Sequence, residues 1–213
     1  MKDIPSEVTV GAMHYRVLYP YNFDDDPEVS TGLHEAGENT IKISEYDEGV
    51  IRHPHKIMET FIHELVHAVD FVYCGYIMSE RFVSVFSRGL TGVLLNNTLK
   101  LNVQDKKIPK KVKIGGYIYD ILYPHEFNDT TGFMTSSLSN TLLKMRISAG
   151  RDFDPTFIKA NLMYCVCVGI YSVYFYGGNG DDEDVNWKSF SHGLYQVIVD
   201  NDIEQLVADW RVK

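Results

Sequence analysis

The sequence is short of cysteine, of basic charge and of long apolar runs, and each shortage excludes something. Three cysteines, Cys74, Cys165 and Cys167, cannot form a fully paired framework. None has the Cys-x-x-Cys spacing of a thiolate zinc site or redox pair, so a reducing compartment is expected. Lys and Arg number 20 against 29 Asp and Glu, for a formal charge of −9. That balance repels a phosphate backbone and removes nucleic acid from the expected partners. The one basic cluster, Lys106, Lys107, Lys110 and Lys111 around Pro109, reads as a solvated linker. No stretch approaches the roughly 20 apolar residues that span a bilayer, and Met1 to Glu7 lack the apolar core of a signal peptide. No membrane partner is expected, and the protein is read as soluble and cytoplasmic. With 45% apolar and 23% charged residues, the composition is that of a folded globular chain.

What the sequence does contain is an internal repeat. One constant offset lays Val8 on Val112, Gly11 on Gly115, Tyr15 on Tyr119, Leu18-Tyr19-Pro20 on Leu122-Tyr123-Pro124 and Phe23 on Phe127. Carried on without a gap, it pairs Ile43-Ser44 with Ile147-Ser148, Val69 with Val173, Phe71 with Phe175, Phe86-Ser87 with Phe190-Ser191, Gly89-Leu90 with Gly193-Leu194, and Asn97 with Asn201. About eighteen of some ninety pairs are identical, where roughly six are expected by chance. Two units follow, 1–98 and 112–213, joined by a linker at 99–111.

Within the first unit, Val8-Thr9-Val10 and Tyr15 to Leu18 alternate around Gly11-Ala12, which predicts a hairpin. An acidic loop leads to a further strand at Thr40 to Ser44. Apolar residues every four positions, Ile57, Phe61, Leu65 and Val69, predict a helix from Pro54 to about Tyr73, with Cys74-Gly75 as its stop. Ser79 is the expected N-cap of a second helix running through Leu95.

The first helix carries His63-Glu64-Leu65-Val66-His67. Residues four apart share a helix face, so His63 and His67 can offer imidazole nitrogens to one metal ion. Glu64 lies beside them, placed to accept a proton from metal-held water as a general base. A third ligand must come from elsewhere. Glu80, at the start of the second helix, is favoured over Asp70, which is read instead as the carboxylate that holds the other N–H of a metal-binding imidazole. His14, His34, His53 and His55 have no partner at ligand spacing and are taken as ordinary histidines.

These residues resemble the zincin superfamily, specifically the small intracellular and phage-encoded peptidase-like proteins near the ImmA/IrrE group. The resemblance covers the first unit. It rests on Ile41-Lys42-Ile43, on Glu59 through Asp70, on Ser79-Glu80, and on Gly89-Leu90 through Asn96-Asn97. It implies zinc (Zn2+) at His63, His67 and Glu80 in the gluzincin manner, with Glu64 as base, and the host cytoplasm for a phage-encoded member. It also implies that Thr40 to Ser44 is the sheet edge along which a peptide or protein substrate lies, bound at Ile41, Lys42 and Ile43. Tyr46, Tyr73 and Arg81 are unranked candidates for oxyanion stabilisation.

The second unit departs from the pattern: the ungapped offset puts Cys167, Val168, Tyr171, Tyr174 and Asp184 at the positions of His63, Glu64, His67, Asp70 and Glu80. A structural copy without metal is expected, and the stretch Gly177 to Asp184, whose spacing misses an EF-hand loop, reads as an acidic loop. The expected fold is α+β: two tandem zincin-like units, each a small, mostly antiparallel sheet on two long helices, paired pseudo-symmetrically as an intramolecular dimer. The expected activity is zinc-dependent hydrolysis of peptide bonds. The rival is a non-catalytic binding or assembly protein on the same scaffold, against which the intact Glu64 argues.

Overall fold

In the computed structural model, which describes residues 4–23, 31–102, 104–128, 134–148, 153–175 and 185–210, the chain opens with strands β1 (Glu7–Val10) and β2 (Met13–Leu18). Met1 to Asp3, the acidic residues 24–30 and the stretch Gly177 to Asp184 lie outside the described residues. Gly11 turns the hairpin at φ 60°, a left-handed conformation that glycine adopts without steric cost. Strands β3 (Gly32–Glu35) and β4 (Thr40–Ile43) complete a sheet of order β1-β2-β4-β3, in which only β2 and β4 run parallel. The expected edge is thereby corrected. Strand β4 is bonded on both sides, and Ile41 and Ile43 are fully buried, so Ile41, Lys42 and Ile43 have no free backbone to offer a peptide. The edge on that side is β3, which gave no strand signal because it is only four residues long and its burial does not alternate.

A short hairpin, β5 (Tyr46–Asp47) and β6 (Val50–Ile51), leads into α1 (Pro54–Val69). Pro54 occupies the first turn, where its missing N–H costs nothing, and the His53 ring accepts a bond from the His55 N–H at 3.2 Å. The four-residue period works as expected: Ile57, Phe61, Leu65 and Val69 are all buried. One π turn (Asp70–Cys74) extends the helix to Gly75, which ends it at φ 83°. Helix α2 (Glu80–Asn96) starts at Ser79, whose hydroxyl accepts the Phe82 N–H at 3.1 Å.

The second half repeats this order with β7 (Lys111–Ile114), β8 (Tyr117–His125), β9 (Ser136–Ser139), β10 (Lys144–Ser148), α3 (Pro155–Tyr174) and α4 (Trp187–Asp200), then adds α5 (Ile203–Asp209). Its sheet has the order β7-β8-β10-β9. Val112 pairs with Tyr119 as Val8 pairs with Tyr15, and Asp120 with Lys144 as Arg16 pairs with Thr40. Among the described residues the architecture is α+β, with five α-helices and three small, mostly antiparallel sheets.

The offset does not run without a gap. The connection from Ile147 to Pro155 is three residues shorter than that from Ile43 to Pro54, so the long helix of the second half slips against the strands. Asp154 caps α3 as His53 caps α1, and Gly115 packs on Val173 and Tyr174 as Gly11 packs on Val72 and Tyr73. Tyr164, Cys165, Val168 and Tyr171 therefore stand where His63, Glu64, His67 and Asp70 stand, in place of the residues expected above. The identities Val69/Val173 and Phe71/Phe175 are coincidences of the ungapped register.

The two halves share one continuous core. Phe82 and Phe86 are fully buried, each contributing about 1.5–3 kcal/mol relative to exposure. Phe82 stacks on Phe175 at 5.2 Å, and Phe86 meets Phe190 edge-on at 5.0 Å. The Asn97 side chain bridges both ways to the Lys113 backbone (2.8 and 2.9 Å), and Asn201 does the same to Thr9 (2.7 and 2.8 Å). The 20-residue α3 is long and apolar enough by composition to cross a membrane, contrary to the expectation that no segment is. Most of it is buried, packed against α4, α2 and the second sheet.

The join also differs from a solvated linker in its first residues. Leu99 and Leu101 are buried, and the Glu204 carboxylate accepts the N–H groups of Lys100 and Leu101, both at 2.9 Å. Lys106, Lys107, Lys110 and Lys111 are exposed as expected, with Lys111 already in β7.

Gly193 faces the Tyr73 ring so closely that a methyl group would overlap it, with Cγ at 2.6 Å. Gly193→Ala is expected to destabilise the chain by about 1–3 kcal/mol, the ordinary cost of overpacking, read as a lower urea midpoint at unchanged m-value.

Candidate metal centre

The Nε2 atoms of His63 and His67, one helical turn apart on α1, lie 3.1 Å from each other. The Glu80 carboxylate closes a triangle from the start of α2, with Oε1 3.1 Å from His63 Nε2 and Oε2 3.0 Å from His67 Nε2. Among the described residues these three form the one group of His, Cys, Asp or Glu able to hold a metal ion. Burial lowers the pKa of His63, with Glu80 opposing and His67 adding to the shift, so the ring is neutral near pH 7. A neutral imidazole makes no ion pair with Glu80. Each Nε2 carries one lone pair or one proton, so neither can satisfy two neighbours at this distance by hydrogen bonding. Three lone pairs turned towards one cation do satisfy the arrangement. Donors bound to zinc at about 2.0–2.1 Å in a tetrahedron stand about 3.3 Å apart, close to this triangle.

Glu80 reaches the helix because of Asp70. Fully buried, Asp70 accepts the N–H groups of Ile77 (3.1 Å) and Met78 (3.0 Å) with its two carboxylate oxygens, while its carbonyl accepts that of Tyr76 (3.1 Å). This folds the connection back so that Ser79 can cap α2 and present Glu80. The expected contact of Asp70 with a metal-binding imidazole is corrected: both oxygens are occupied by backbone, and His67 Nδ1 is buried without a partner among the described residues. His63 Nδ1 lies 3.5 Å from the Ser87 hydroxyl, and Ser84 donates to Glu80 Oε1 at 3.0 Å.

Glu64 is 4% exposed. Burial, then the nearby Glu80 charge, pushes its carboxyl up to about 8, while a hydrogen bond from the His34 backbone N–H works in the opposite direction. Gly32 makes this approach possible, because a Cβ there would overlap Glu64 Oε1 and Thr60 Cγ2. The His34 ring, buried and held neutral with its pKa lowered to about 4 by burial and then by His67, lies parallel to the His67 ring at 6.4 Å. Gly32 and His34 escaped sequence reasoning, since their roles exist only once β3 pairs with β4. The residues given no role there divide: His53 caps α1, whereas His14 lies against the Thr9 hydroxyl and neither it nor His55 belongs to the candidate metal group.

A cleft of about 860 Å3 contains His63, Glu64, His67 and Glu80 and is lined further by Thr31 to His34, Val50 and Ile51 of the short hairpin, Tyr76 and Arg88. None of the three residues considered for an oxyanion lines it. Tyr73 donates to Gln196 at the junction of the halves, and Tyr46 and Arg81 are not among the residues that line the cleft. Tyr76 is the tyrosine in the cleft, 60% exposed and at φ 61° just after the helix stop.

Two outcomes are expected. In Asp70→Ala the connection loses charge-assisted bonds worth about 1.5–3 kcal/mol each, so the urea midpoint falls as the turn that presents Glu80 loosens. In metal-free protein, Glu64 keeps a proton on folding that the unfolded chain releases above about 4.5. Its contribution to stability is full below that pH and is lost as pH rises towards about 8. The difference in unfolding free energy between wild type and Glu64→Gln, measured in chelator, therefore declines across that window; a flat difference contradicts it. Searched against family models, curated proteins and solved structures, the chain matches none.

Proposed function

We propose that the chain is a zinc-dependent peptidase whose first half carries the active centre and whose second half is a duplicated zincin-like unit without one. The reading is carried by one observation: two imidazoles and a carboxylate, from two helices, converge within 3.0–3.1 Å of one another in an open cleft. A zinc ion held by His63, His67 and Glu80 would supply Lewis acidity to a water molecule and to a substrate carbonyl. Glu64, on the same helix face and buried beside them, accepts the proton of the attacking water at its carboxylate and passes it to the leaving amine. Its raised proton affinity suits a base that must also act as an acid near neutral pH. Edge strand β3, beside the cleft, offers backbone groups to an extended peptide or protein substrate.

The tandem, pseudo-symmetric pairing of two such units is part of the same proposal. It is supported by the shared strand order and register, by Gly11 and Gly115 at φ 60° and 56°, by Asn39 and Leu143 at 47° and 48°, and by the reciprocal bridges of Asn97 and Asn201. At the positions of the donors, Tyr164 and Val168 have no imidazole, which supports a bracing role for the second half.

Elemental analysis of purified protein should find about one zinc per chain. His63→Ala is expected to lose it, and Glu64→Gln to keep it while losing hydrolysis of a mixed peptide library. Wild-type protein that binds zinc but cleaves no peptide supports the binding-module alternative, and failure to bind zinc at all defeats the peptidase and leaves only the non-catalytic alternative.

A further inference from the structure

The guanidinium of Arg52 sits where three elements meet. Its Nη1 donates to the carbonyls of Ser44 (2.8 Å) and Thr31 (3.4 Å), and its Nη2 to the carbonyl of Lys56 (3.1 Å) and to the Thr60 hydroxyl. A rigid planar fork thus ties the end of β4 and the entry to β3 to the first turns of α1. The residues it holds are those that govern the surroundings of Glu64. Thr31 precedes Gly32, whose missing side chain admits the carboxylate, and the Thr60 methyl is the other group pressed against Gly32. His34, whose N–H bonds to Glu64, follows two residues along the same strand.

The second half provides an internal comparison. The residue before its helix cap is Phe153, whose ring packs on Phe157 at 4.8 Å. Where Arg52 links Thr31 to Thr60, Thr135 donates directly to Asn161 at 2.8 Å. Where Gly32 faces Glu64, Ser136 hydrogen-bonds Cys165. The same strand-to-helix junction therefore forms without an arginine when no carboxylate has to be accommodated, so the fold itself does not require one.

We propose that Arg52 is a positioning residue for Glu64: it fixes the spacing of β3 from α1 at which the His34 N–H meets the carboxylate and aims it into the cleft. The catalytic meaning of that aim rests on the proposed hydrolase, but the contacts stand without it.

The test is site-resolved amide hydrogen exchange by NMR on the full chain. Glu64→Ala removes the acceptor and calibrates complete loss of the His34 bond. In Arg52→Gln, exchange at the His34 amide is expected to rise by about tenfold or more, towards the Glu64→Ala value, while amides of β7, β8 and β10 stay as in wild type. Arg52→Lys, which keeps the charge but not the fork, should fall between the two and covers the case in which Arg52→Gln folds poorly. His34 exchange within about twofold of wild type in both variants overturns the proposal, as does a rise spread evenly over both halves, which marks a purely structural role. Zinc content measured on the same samples separates the two ideas: wild-type protein without zinc defeats the hydrolase, whereas the His34 amide still decides the role of Arg52.

Discussion

Strand β3 lies against helix α1 only because position 32 carries no side chain. Any larger residue would collide with Glu64 and Thr60, and the strand would stand off by the thickness of a methyl group. Close approach has two effects of opposite sign. It strips water from Glu64, which raises the cost of its charge, and it brings the His34 N–H within bonding reach, which recovers part of that cost. The carboxyl is left near neutrality in its proton affinity rather than fixed as an acid or a salt.

The candidate metal donors obey a different balance. Glu80 is largely exposed, whereas His63 and His67 are mostly covered. Burial lowers the pKa of His63 and keeps its lone pair available, and the accessible carboxylate brings the negative charge that a divalent cation requires. That Glu80 arrives at all depends on Asp70, a buried carboxylate spent entirely on backbone N–H groups. One acid organises the loop, a second completes the triangle, and a third waits beside it; similar chemistry is divided by environment alone.

Much of this was legible in the sequence, where local rules suffice. The four-residue period of Ile57, Phe61, Leu65 and Val69, the Gly75 stop and the Ser79 cap all act within a turn or two, and the structure has them where expected. The spacing of His63 and His67 needs only a helix. What could not be read depends on partners far along the chain. Strand β3 is four residues long, and its edge position follows from pairing with β4 rather than from any pattern of its own. The role of Asp70 was misjudged because helical proximity to His67 says nothing of two N–H groups that come round in the following loop. The slip of the long helix in the second half was hidden by chance identities at Val173 and Phe175, and it is revealed by the caps at His53 and Asp154 and by the residues on which Gly11 and Gly115 pack.

Phe86 meets Phe190, and each half lends an asparagine to the opening hairpin of the other. A surface whose two sides use the same residues is one that a single half could offer to another copy of itself. The covalent join guarantees that both sides are present, so the two need not stay alike: the second half carries Tyr164 and Val168 where the first has imidazoles, and Ser136 where the first has Gly32.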